Sequence, residues 1–385
     1  MRLSFLLRSI LVLLLCFLVE IGSFATVDKD VPIALLKQRQ FSELDLLMNQ
    51  SLDAYKLDTN MENDAATAFD SLSVREPNIS HLFDEWIQAF PKSAAARFAR
   101  GRYRYEIAWM TRGGRWISEV PQEKISGMET AIAQSIDDFR RACELDPKQA
   151  LFSRYLIQAY MTVGKGSDIG KELLRAITLD PQVKGARYAY MRSLYPEWGG
   201  SYLQMEAFLT ETKKSPDTPK MKKIKGDIES LLYLSKARAF YRDGDYEKTL
   251  VFANQAVSAN RDQEGLTYVG FVLIKLNKHA EAILVLTEAI NLSPKTADKV
   301  GGARDNRALA YKQLRQQKEA FDDYLILANA GHSYAQYFVG YAYTKGWGGI
   351  RQNQLDGIKW LSLATDGGNE SAKKLLLEIK QKNTE

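Results

Sequence analysis

The strongest constraint on this chain is a length that recurs. "ACELDP" (142–147) returns as "AITLDP" (176–181), and Pro147 and Pro181 stand 34 residues apart. Farther on, "SKARAFYRDGDYEKTLVFANQAVSAN" (235–260) aligns with "YVGFVLIKLNKHAEAILVLTEAINLSP" (268–294). Ala237 pairs with Gly270, Gly244 with Asn277, Thr249 with Ala282 and Ala256 with Ala289, each pair 33 residues apart. A third copy, "RALAYKQLRQQKEAFDDYLILA" (307–328), puts Ala308 and Ala320 in the same roles, with 295–302 as extra residues between copies. Small and large positions that recur together at such a period mark stacked units, each too small to bury its apolar face alone.

Leu156, Tyr160, Leu173 and Ala176 follow the spacing of a tetratricopeptide (TPR) helix pair, and the downstream copies resemble the same repeat. Asp146 and Asp180 are expected to cap the following helices, with Pro147 and Pro181 at their first positions. The stretch 330–376 changes pattern and resembles a SEL-one-like repeat, a relative of the TPR. Ala335, Gly340, Tyr343, Gly346, Gly348, Trp360, Ala364, Gly367 and Ala372 carry that resemblance. Gly357 replaces the usual alanine and is expected to loosen its helix slightly. The expected fold is all-α: a right-handed α-solenoid of TPR-like and SEL-one-like hairpins, with an irregular helical domain before it.

Apolar spacing in the N-terminal half predicts helices near Phe41–Leu57, Glu62–Leu72, Ser80–Phe90, Ala94–Met110 and Ile125–Leu145. The last two read as a hairpin with a long insert, 111–127, and inserts of that length are functional or disordered as a rule. "RYEIAWMTRGGRW", "LDPKQALFSRYLIQAY" and "YPEWGGSYLQMEAF" together resemble an uncharacterised bacterial envelope family found beside such repeats. The resemblance implies a helical fold and no activity. The expected organisation is a signal peptide at 1–25, a helical domain at 26–212, a Lys-rich linker at 213–226, TPR repeats at 227–329 and a SEL-one-like cap at 330–385.

The first residues support the export reading. Arg2 and Arg8 precede an apolar run, Ile10–Val19, which falls short of the roughly 20 residues a spanning helix needs. Ser23 and Ala25 place small residues where a signal peptidase reads, so cleavage is expected after Ala25. The alternative is an uncleaved inner-membrane anchor, the one route by which a membrane becomes a partner. A lipoprotein site at Cys16 is set aside, because Leu15 precedes it where a small residue is needed. Cleavage leaves Cys143 as the sole cysteine, which forbids an internal disulfide. An exported chain without disulfides points to a periplasm.

A net charge of +5 over 385 residues is weak ground for nucleic-acid binding. The arginines of 97–116 invite it, but Arg97, Arg100 and Arg104 share a helical face where they pair with acids or meet water. Phe98, Gly101, Tyr105, Ala108 and Trp109 form another, apolar face. No His-Glu-x-x-His, Gly-x-Ser-x-Gly or Walker pattern occurs. His81, His279 and His332 lie far apart, and Asp137–Asp138 and Asp322–Asp323 are neighbours pointing different ways on a helix. No enzyme, metal, cofactor or tightly bound small molecule is expected.

Two sets of residues remain as partner-binding candidates. In a TPR array the first helix of each pair lines the groove, which selects Arg238, Tyr241, Arg242, Thr267, Phe271, Lys275, Asp305 and Lys312. These suit a protein or extended peptide with acidic and apolar side chains. The second set is Arg112, Arg115 and Trp116 in the insert with Trp198, Gly199, Gly200 and Ser201. Gly199 and Gly200 suit a tight corner, and Ser201 with Gln204 reads as a capping box. The same residues could present glycine N–H groups, an indole N–H and a helix N-terminus to a carboxylate or carbonyl. The expected role is an exported scaffold or adaptor in an envelope assembly. The alternative is an envelope hydrolase or cell-wall-binding module centred on these two loops.

Overall fold

The computed structural model describes residues 28–114, 119–294 and 301–382. The signal-peptide reading therefore lies outside the described residues. Among them there are nineteen α-helices and no strand. None of these helices is long and apolar enough to cross a membrane. The chain divides into two compact units, one ending at Ser201 and the other starting at Tyr202.

The first unit contains α1 (Asp30–Lys37), α2 (Phe41–Leu57), α3 (Glu62–Asp70), α4 (Ser80–Ala89), α5 (Ala94–Arg112), α6 (Gln122–Leu145), α7 (Leu151–Thr162), α8 (Gly166–Leu179) and α9 (Gly185–Ser193). The sequence-predicted helices all appear, with ends shifted by a few residues at most. Helices α5 and α6 form the main hairpin, α7 pairs with α8, and α9 packs back on α7. The core is aromatic: Phe98 touches Phe69, Phe139, Phe152 and Tyr155, with ring centroids 4.5 to 5.5 Å apart. Gly101 is what lets α5 and α6 approach, since a Cβ there would lie 2.6 Å from Phe139 Cε1.

The 34-residue pattern is present, but its Asp-Pro pairs act differently from expectation. Asp146 and Asp180 close α6 and α8, and the next helices begin only at Leu151 and Gly185. Asp180 instead accepts from the Gln182 N–H at 2.8 Å and from the Tyr55 hydroxyl at 2.9 Å. The start of α9 is capped from far away in sequence: buried Glu62 accepts from the N–H groups of Lys184 (2.8 Å) and Gly185 (2.6 Å). Proline-containing turns separate helix end from helix start, so local capping gives way to tertiary capping.

The second unit contains α10 (Tyr202–Lys213), α11 (Pro219–Arg242), α12 (Tyr246–Ala259), α13 (Gln263–Lys275), α14 (His279–Leu292), α15 (Ala303–Gln313), α16 (Gln317–Asn329), α17 (Ser333–Lys345), α18 (Gln354–Asp366) and α19 (Glu370–Lys382). Four hairpins, α11/α12, α13/α14, α15/α16 and α17/α18, follow one another, and each new hairpin packs its first helix on the second helix of the last. This is α-solenoid construction. The recurring small residues sit at the crossings: Ala237, Ala256, Ala282, Ala289, Ala308 and Ala320 are all buried. Gly340 lets α17 meet α18, with Leu361 Cγ 2.8 Å from where a Cβ would be.

The Lys-rich stretch 213–226, expected as a linker, is mostly helix. Thr218 accepts from the Met221 N–H at 3.1 Å, Pro219 takes the first turn, and Met221 and Ile224 are buried. Its lysines occupy the solvent side of a helix whose apolar side is core. Gly357 is buried against Thr344, whose Cγ2 would lie 2.4 Å from a Cβ, so its missing side chain lets α17 and α18 cross closely.

Candidate functional site

The groove candidates come from successive first helices of the second unit. Tyr241 closes α11, and its ring lies 5.5 Å from Phe271 of α13 and 5.4 Å from Tyr246 of α12. Phe271 stacks with Tyr268 one turn earlier, at 6.4 Å. Lys275 places its ammonium 5.3 Å from the Phe271 ring. The aromatic rings are half-buried and Lys275 is exposed, so an aromatic floor carries a cation at its edge. Exposed Arg238 reaches Glu264 at only 3.8 Å, an arrangement that contributes little in water.

The theme returns farther along. Lys312 of α15 holds its ammonium 4.4 Å over Phe338 of α17. Phe338 stacks on Tyr324 at 4.7 Å and meets half-exposed Tyr334 at 4.8 Å. Burial raises the Tyr324 and Tyr268 hydroxyls above their ordinary pKa, so both stay protonated. Tyr268 Oη is buried without a hydrogen-bond partner.

Some of the predicted groove residues are engaged within their own helix or at its start. Thr267 donates to the Gln263 carbonyl at 2.7 Å within its own helix. Asp305 accepts from the Gly301 N–H at 3.0 Å and so shapes the start of α15. Arg242 is exposed at the end of α11. Tyr268, Tyr334 and Phe338 were missed by the sequence reading. Their signal was available as aromatic residues three or four apart on a first helix.

The second candidate set is described only in part. Arg115 and Trp116 lie outside the described residues. Arg112 folds over its own helix, 5.4 Å above Trp109, and donates to the Gly113 carbonyl at 3.1 Å. In the Trp198 corner, both glycine N–H groups are already used: Gly199 donates to Pro196 and Gly200 to Tyr195, each at 3.1 Å. Gly199 takes φ +84°, and a Cβ on Gly200 would lie 2.2 Å from the Leu194 carbonyl oxygen. These glycines are therefore demanded by the turn. They offer no donor pair to a carboxylate, which removes the main support for the anion-gripping reading. Helix α10 starts right after Ser201, and Trp198 leaves 42% of its surface open.

The arginine-rich helix α5 also resolves. Asp138, buried on α6, accepts from Arg100 Nε (2.9 Å) and Nη2 (2.6 Å) and from Arg104 Nη1 (2.8 Å). Arg102 reaches Asp70 at 2.6 Å. Asp137 is exposed while its neighbour Asp138 is buried, and Asp322 and Asp323 divide the same way. Among the described residues, no three His, Cys, Asp or Glu side chains gather as metal ligands.

These features define an all-α helical-hairpin repeat protein whose solvent-facing aromatic and cationic groups lie on successive first helices. Residues 30–175 match the family described as "Domain of unknown function (DUF4034)", and the Trp198 corner lies beyond that match. No curated protein matches the chain. Solved structures that resemble it include YrrB, described as a TPR protein with an unusual peptide-binding site. That match has 16% identity and TM-score 0.35, covering 54% of this chain and 97% of that one. The Cut9–Hcn1 hetero-tetramer of the APC/C gives 13% identity and TM-score 0.39, covering 88% of this chain and 58% of that one. The human IFIT1 dimer with m7Gppp-AAAA gives 10% identity and TM-score 0.37, covering 88% of this chain and 81% of that one.

Proposed function

We propose that this protein is a non-enzymatic scaffold that holds an extended segment of another protein along the second unit. The reading rests on one observation: Tyr241, Phe271 and Lys275 form a ledge that the hairpin crossings do not require. The crossings are built by buried alanines and by Gly270. Half-buried rings beside exposed or loosely held cations fit a segment that alternates apolar and acidic side chains. The rings take apolar groups, and Arg238, Arg242, Lys275 and Lys312 take carboxylates. The pairing of Arg100, Arg102 and Arg104 with buried or neighbouring acids supports a protein partner rather than a nucleic acid. The amino-terminal segment supports export, and an envelope assembly is the setting we assign.

Photocrosslinking tests where the partner lies. A benzophenone amino acid is placed at Lys275 in one variant and at Trp198 in another. The partner is a synthetic peptide alternating Glu with Leu. The account expects crosslinks from position 275 and none from 198. Crosslinks from 198 alone would move the site to the first unit.

A further inference from the structure

Around Asp138, cations outnumber the acids that pair with them. Its carboxylate takes three bonds from Arg100 and Arg104, at 2.6 to 2.9 Å. Arg97, one turn before Arg100, reaches it only at 3.9 Å. Arg97 Nε is buried with no hydrogen-bond partner. Arg102 Nε is also unpartnered, but its guanidinium bonds Asp70 at 2.6 Å and lies 4.4 Å over Tyr155. Nothing comparable holds Arg97 among the described residues.

The remaining acids nearby are committed. Asp84 takes Arg100 at 2.6 Å, and Glu144 takes Arg141 at 2.5 Å. The acids that pair with Arg100, Arg104 and Arg141 leave Arg97 with no close carboxylate of its own. Arg97 also stands in the first turn of α5, the positive end of that helix. Burial, then the charges of Arg100, Arg141 and Arg104, push its pKa down, while Asp138 alone raises it. Its side chain remains 26% exposed and so can be reached. In the comparable cluster of the second unit both arginines are hydrogen-bonded to their carboxylate. Buried Asp323 binds Arg307 through two bonds and Arg304 through one, and Arg307 spends a further donor on Thr287.

We infer that Arg97, flanked by Arg104 and Arg141, is an oxyanion-binding site that takes one carboxylate or phosphate group on the two terminal nitrogens of its guanidinium. A planar guanidinium matches two oxygens of either group, and the negative charge gives Arg97 the close partner it lacks. The site is independent of the ledge on the second unit.

The test is calorimetric titration of the full chain with inorganic phosphate and, separately, with acetate, at fixed ionic strength set by chloride. Saturable one-site binding is expected, weakened ~10-fold or more in Arg97→Gln, as loss of a charge-assisted bond implies. Binding of phosphate alone assigns the site to phosphate groups, and binding of acetate alone to carboxylates. Arg97→Lys keeps the charge and should fall between. If Arg97→Gln fails to fold by circular dichroism, exposed Arg141→Gln takes its place and must weaken binding measurably. Absence of saturable binding, or binding unchanged in the folded variant, overturns the inference.

Discussion

Gly270 of α13 lies against Leu286 of α14 with no room for another atom: a Cβ on Gly270 would sit 2.4 Å from Leu286 Cγ. The same relation links Gly101 with Phe139 and Gly340 with Leu361. Hairpin crossings in both units are thus set by a missing side chain on the first helix and a bulky one on the second.

Substitution at those crossings should be costly. Gly101→Leu, Gly270→Leu and Ala289→Leu are each expected to destabilise by about 1–3 kcal/mol or more through overpacking. Chemical denaturation measures it as a lower midpoint. Unchanged midpoints in all three would show that the helix faces are misassigned.

Asp138→Asn should be worse than its conservative look. It leaves Arg97, Arg100 and Arg104 facing one another with no carboxylate between. Removing one partner from a largely buried ion cluster costs about 3 kcal/mol or more. Asp137→Asn, one residue away and exposed, should leave the melting temperature unchanged. Equal effects from the two variants would contradict the cluster.

Cys143 offers a pH test. Burial pushes its thiol up to about 12. A thiol whose folded pKa lies above its unfolded value, ~8.5, adds stability that is complete below that value. That stability fades as pH rises toward about 12. Alkylation of the native protein at mildly alkaline pH should be at least ~100-fold slower than after unfolding, since only the thiolate reacts. Rapid alkylation of the native chain would show an open thiol. Cys143→Ala should flatten the alkaline loss of stability.

Most of the fold was legible because a repeat states its own geometry. Ala237, Ala256, Ala282 and Ala289 are spaced by helix crossings, so the sequence period maps directly onto packing. The helix ends were harder. Asp146 and Asp180 look like caps in sequence, yet Glu62 caps α9 from across the fold, and nothing local announces that. The Lys213–Gly226 stretch misled because its lysines hide the buried Met221 and Ile224. At the candidate site, Tyr241, Phe271 and Lys275 followed from repeat register. Tyr268 and Phe338 did not, although each stands three or four residues from another aromatic ring on its own helix. At the Trp198 corner the glycine N–H groups are spent on Tyr195 and Pro196, which only the folded hydrogen bonding reveals.

The central claim is that the Tyr241–Phe271–Lys275 ledge binds an extended acidic and apolar segment. The most direct test is the affinity of a fluorescent peptide alternating Glu with Leu, measured by anisotropy for the parent chain and for Tyr241→Ala combined with Lys275→Glu. Lys275 is exposed and Tyr241 is half-buried away from the hairpin crossings, so the fold should persist with the melting temperature lowered by a few degrees at most. The account predicts saturable binding by the parent, a loss of affinity of ~10-fold or more in the double variant, and no binding of the matching Lys–Leu peptide. Affinity that survives the double substitution, but is lost when Trp198 is replaced by alanine, would contradict the account.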